Sequence, residues 1–272
     1  MTTHGVERRF LQVSAAIFVW AVANGGPPAA PSPWTKVPPL PTGCYSSRDS
    51  FAKDAEAAIE AMSAERNRQE EINRSIEDAV KNLDPMEKQR RMQTYMMSNP
   101  QEAAKMLQAN QAAGAEVQAT AMAHNEKGLR LDEELKTLDT QYDAELNKAM
   151  APVEARIKAL NFNDGEGGNP PEVTAQWKAL IAQRNTEYER VCGTWWTASS
   201  PFHGWLKRYK EYLQETAASQ AHVEEAMLTQ YKMMGISADS YRSTDAMNSA
   251  ETYIKRARNV FDRRWFEPQK PE

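Results

Sequence analysis

Three times along this 272-residue chain an Asp or Asn precedes a Pro that is followed two positions later by Glu. The copies are Asp84-Pro85-Met86-Glu87, Asn99-Pro100-Gln101-Glu102 and Asn169-Pro170-Pro171-Glu172. Each reads as a helix start: the Asp or Asn side chain accepts from free amides, Pro tolerates the first turn because its missing N–H costs nothing there, and Glu reaches back. Beyond Tyr45 the chain is rich in Ala, Glu, Gln, Lys, Met and Leu, the strong helix formers. No stretch alternates β-branched with polar residues as a strand does. The expected fold is all-α.

The punctuation predicts helices over about 47–82, 85–97, 100–160, 171–191, 202–234 and 238–266. Pro152 should kink or split the longest of them near Met150. Apolar residues recur with a period near 3.5, as in Leu131, Leu135, Leu138 and Tyr142, or Ile254, Ala257, Phe261 and Trp265. Such stripes are seams for partner helices. They are thin, and Arg66, Gln69 and Asn73 place polar groups in the first of them. The expectation is an elongated, irregular coiled-coil or helical bundle of about six helices, one very long, stapled by one disulfide. His124 falls on a stripe and reads as a core histidine.

The start of the chain carries a different signal. Arg8 and Arg9 precede an apolar run of about 14 residues that ends in Ala21-Val22-Ala23. A basic end, a short apolar core and a small-residue exit make a secretory signal peptide, cleaved near Ala23. The core falls short of the about 20 residues that span a bilayer, which disfavours a retained anchor. Residues 24–43 hold seven prolines and read as an extended spacer. A helical domain over 44–268 and a disordered tail over 269–272 complete the expected organisation. The formal net charge of −4 becomes one unit more negative when Glu7, Arg8 and Arg9 leave, which argues against nucleic acid as a partner. A periplasmic or secreted location follows from the leader. In that oxidising setting Cys44 and Cys192, the only two cysteines, read as a disulfide.

Three stretches stand out as candidate sites. The break RNTEYERVCGTWWTASSPFHGWLKRY sets Cys192, Trp195, Trp196, His203 and Trp205 close together in sequence. It reads as the knot where helices meet. An enzyme with Cys192 as nucleophile or His203 as base is the competing reading, and an aromatic surface for a partner is a third. No HExxH, haem-attachment or di-iron spacing is present, so no cofactor or metal is expected. Five of the thirteen methionines, Met86, Met92, Met96, Met97 and Met106, crowd one short stretch. They suit either a groove that adapts to varied partners or a gap in the core. Locally, DPMEKQRRMQTYMMSNPQ resembles the Asp/Asn-Pro, Met-rich helices of intracellular co-chaperone modules, over under a tenth of the chain.

Lys255, Arg256, Arg258, Arg263 and Arg264 form a basic stretch suited to an anionic envelope surface or to acidic helices of the same bundle. Together these features predict an exported, non-enzymatic binding, adaptor or chaperone-like protein of the bacterial cell envelope. It would act on other proteins or on itself. An envelope-associated structural protein using the basic helix is the alternative, followed by a small enzyme centred on His203.

Overall fold

The computed structural model describes residues 32–43, 46–163 and 168–262, without the side chains of 46–48, 102–103, 105–121, 219–223 and 225. The leader, the first part of the proline-rich segment, Cys44, and the basic residues Arg263 and Arg264 lie outside the described residues, as does the tail. The described chain is helical, with no strand among its residues. A short 3-10 turn, Pro33–Lys36, precedes six α-helices. These are α1 (Ser46–Lys81), α2 (Pro85–Ser98), α3 (Pro100–Ala159), α4 (Pro171–Trp195), α5 (Pro201–Met233) and α6 (Asp245–Asp262).

The three Pro-marked starts lie where the spacing puts them, but only Asp84 caps as expected, and its Glu87 binds Arg90 and Arg91 instead of reaching back. Asp84 accepts from the amides of Met86 and Glu87 at 2.8 and 3.2 Å. Asn99 instead turns back and donates to the Tyr95 carbonyl, closing the end of α2. Asn169 closes its own loop, accepting from the Asn163 amide and donating to the Asn163 carbonyl. Pro170 then stands at the N-cap of α4, with its carbonyl taking the Thr174 amide. Pro152 does not split α3, which runs on to Ala159. The helix ends also move: α4 continues about one turn past Val191 to Trp195, and α6 begins at Asp245 rather than near Ala238.

The chain divides into two compact units. Within the described residues, the first comprises the segment through Val37, then 57–128 and 210–253. Its core joins Ile76 of α1, Tyr231 of α5, and Met234 and Ala238 of the loop after α5. Ile72, Val80, Leu83, Met92 and Leu228 pack against them. Burying each large aliphatic side chain contributes roughly 1.5–3 kcal/mol.

The polar seam positions of α1 find their use in this unit. Asn73 donates to the Arg242 carbonyl at 2.8 Å and accepts from the Arg242 amide at 3.3 Å. Gln69 donates to the Ser240 carbonyl at 2.9 Å, and Arg66 pairs with the buried Glu251 carboxylate at 2.5 Å. Side chains of α1 thus hold the Ser240 and Arg242 backbone groups, which favours a loop over the start of α6 there. Gly235 begins the loop in the left-handed region, at φ 69°, and Arg91 donates to the Met234 carbonyl beside it.

The second unit comprises 38–56, 129–209 and residues from Ile254 onward. Leu131, Leu135, Tyr142 and Val153 of α3 are buried there with Leu180, Ile181, Tyr188 and Val191 of α4 and with Ile254, Ala257 and Val260 of α6. Of these, Leu131, Leu135, Tyr142, Ile254 and Ala257 are stripe positions expected from the period. The second half of the expected spacer does not stand away from the helices. Trp34 packs on Tyr253 in the first unit, and Pro41 is buried in the second.

Candidate functional site

The tryptophan-rich break is a buried cluster of aromatic rings in the second unit. Helix α4 ends when the Trp196 amide donates to the Cys192 carbonyl at 2.9 Å, and a tight turn through Ser200 leads into α5. The rings interlock. Trp196 stacks on Phe202 at 5.0 Å between centroids and meets Phe261 of α6 at 4.2 Å. Trp195 and Phe202 each meet Tyr142, and Phe51 of α1 meets Phe261 edge-on. The indole N–H groups are satisfied inside: Trp195 donates to Glu145 at 2.9 Å, and Trp205 to the Leu131 carbonyl at 2.7 Å. Burial beside Tyr188 pushes the Tyr142 hydroxyl far up from its ordinary pKa.

Trp195, Trp196 and Trp205 are 7, 3 and 0 % exposed, which corrects the reading of them as an aromatic surface for a partner. A knot of large rings fills space with few residues, and here it does so with no face left outward.

Ser200 and His203 are the polar pair inside this cluster. The Ser200 hydroxyl accepts from the His203 amide at 3.4 Å and lies 3.0 Å from Nδ1. Nε2 is buried without a hydrogen bond of good geometry. Burial lowers the pKa of His203, and the Pro41 backbone partly opposes this. The pair resembles half of a nucleophile and base, but both residues are buried, as is Cys192. Ser200 carried a legible signal in the sequence, as a hydroxyl immediately before the Pro of a helix start.

The methionines separate into two groups. Met92 packs against the first unit's core, the gap-filling use of a thioether. Met86 and Met97 are 75 and 84 % exposed, with Met96 at 39 %. Eleven residues apart on a helix, Met86 and Met97 share one face. The opposite side of α2 is fixed: Glu87 holds Arg91 at 2.7 Å, and Arg91 reaches the Met234 carbonyl at 3.0 Å. Glu87 also binds Arg90, and these two guanidinium groups hold its carboxyl down to about 2. The side chain of Met106 lies outside the described residues.

The cations of α6 are engaged locally. Arg256 pairs with Asp132 of α3 and lies 5.8 Å from the centre of the Trp205 ring, while Arg258 pairs with Asp262. His124, in the first unit, stacks on Tyr212 at 4.4 Å and hydrogen-bonds to Thr216. Its pKa is lowered by burial against the pull of Glu215. Among the described residues no group of His, Cys, Asp or Glu is arranged to hold a metal, and no helix is long and apolar enough to cross a membrane. Comparisons with protein-family models, curated proteins and solved structures give no match to this chain.

Proposed function

We propose that the protein is an exported, non-enzymatic helical adaptor or chaperone-like protein of a bacterial cell envelope, acting through protein–protein contacts at the outer face of α2. The observation that carries this reading is the exposure of Met86 and Met97 on a helix whose inner side is tied down. Flexible thioethers adapt to differently shaped apolar partners, and a fixed helix presents them without an ordering cost. The test is site-specific photo-crosslinking in intact cells from position 97, with and without Met86→Ser and Met96→Ser. Capture of a protein by the parent, reduced at least fivefold by the two serines, supports the reading. An unchanged capture pattern overturns it.

Export is part of the same reading and rests on the leader sequence. So does a disulfide between Cys44 and Cys192. In its support, the described residues contain no free cysteine, and Cys192 is buried in the second unit. Pro41 and Phe51, on either side of Cys44 in the sequence, also belong to that unit, Pro41 beside His203 and Phe51 against Phe261. Mass spectrometry of a non-reduced digest tests the bond directly: a linked peptide pair is expected, and two alkylatable thiols would remove it.

A further inference from the structure

Helices α3 and α6 line a cavity of about 230 Å³ in the second unit. Leu135 of α3 and Val260 of α6 are buried and give it an apolar floor. Asp132, Lys136 and Asp139 of α3 and Arg256 of α6 bring charge to it, with the Asn259 amide beside them. The spacing of these residues explains the convergence: 132, 136 and 139 share one face of α3, and 256 and 259 share one face of α6. Sites for drug-sized ligands run to about 300–1,000 Å³, so this one takes a smaller molecule.

One wall is fixed before any ligand arrives. The Arg256 guanidinium pairs with Asp132 and lies 5.8 and 5.9 Å from the ring centres of Trp205 and Tyr209. A group held this way loses little freedom on binding. Lys136 stands at the exposed edge, and Asp139 is half-buried.

The pattern of charge selects the ligand. Signs alternate along α3, negative at Asp132, positive at Lys136 and negative at Asp139, and with Arg256 the four groups sum to zero. A ligand that is only an anion meets two carboxylates, and one that is only a cation meets two cations; both lose binding to like-charge contacts. A molecule carrying both charges a few bonds apart finds a complement for each. Its carboxylate fits between Lys136 and Arg256, and its ammonium fits against Asp139. The Asn259 amide has donors and an acceptor, so it serves either end. Leu135 and Val260 favour an aliphatic remainder.

We propose that this cavity binds a free α-amino acid with an aliphatic side chain, held as the zwitterion. The inference is independent of the methionine face of α2, and crosslinking from position 97 does not bear on it.

The probe is leucine, titrated into the purified full-length chain and followed by ligand-observed NMR. A Kd on the order of 1 mM is expected for so small a ligand. Isocaproate, which lacks the amine, and isoamylamine, which lacks the carboxylate, should bind at least fivefold more weakly. Asp139→Asn should cancel the advantage of leucine over isocaproate, and Lys136→Ala its advantage over isoamylamine. Each loss belongs to one end of the ligand, which a general loosening of the helices would not produce. Should Asp139→Asn lose helicity by circular dichroism, the exposed Lys136→Ala variant carries the test. No saturable leucine binding up to about 10 mM overturns the proposal. So does equal binding of the one-ended analogues, or an unchanged preference in Lys136→Ala.

Discussion

Single residues in this molecule have opposite requirements that composition does not reveal. Gly193 lies inside α4 with open space where a Cβ would stand, whereas Gly235 holds φ 69° at the end of α5. Gly193→Ala should raise stability by about 0.5–1 kcal/mol by removing helix-breaking freedom, and Gly235→Ala should lower it by about 1 kcal/mol or more. Urea titration of both variants checks the pair; the same sign for both would contradict the geometry. His203 has its own pH signature. Its folded pKa is depressed by burial, so its contribution is intact above about 6.5 and is lost as pH falls from there through the folded pKa. The limiting slope for one proton is about 1.4 kcal/mol per pH unit. His203→Phe should flatten that acid limb without abolishing it, because His124 is shifted in the same direction. Melting temperatures between pH 7 and 5 test this.

At the scale of an element, α1 shows how a seam can be polar and still hold a core. Removing the Asn73 amide frees an acceptor and a donor on the Arg242 backbone, so Asn73→Ala should cost about 1–3 kcal/mol. Arg66→Ala leaves the buried Glu251 carboxylate without this partner and should cost about 2–3 kcal/mol. Chemical denaturation measures both, and losses below about 0.5 kcal/mol would show that solvent replaces these bonds. The sequence announced Arg66, Gln69 and Asn73 as misfits on an apolar stripe, but not what they bind. Their partners lie far along the chain, in a loop whose sequence around Ile236 and Ala238 reads as the beginning of a helix. Helix existence and most boundaries were legible because Pro and capping residues act locally. The Asn99 and Asn169 side chains turned elsewhere because nearby backbone groups offered competing bonds. The outward placement of Met86 and Met97 was equally hidden: a thioether suits core and surface alike, and only the fixing of α2 through Arg91 decides between them.

For the whole molecule, the proposed Cys44–Cys192 bond would close a loop of nearly 150 residues, worth up to about 4–5 kcal/mol through the unfolded chain. Reduction should therefore lower the melting temperature of purified protein, while identical melts with and without reductant would argue against the bond. The same molecule keeps Met62, Met233 and Met234 shut in while Met86 and Met97 stand in water. Peroxide should reach Met86, Met97 and the likewise exposed Met122 before these buried three, converting each thioether to a sulfoxide with release of water. The helices and the melt should survive this, yet the α2 face would no longer present an apolar surface. Oxidative wear would then silence the proposed attachment long before it damaged the scaffold, and repair by sulfoxide reduction would restore it without refolding.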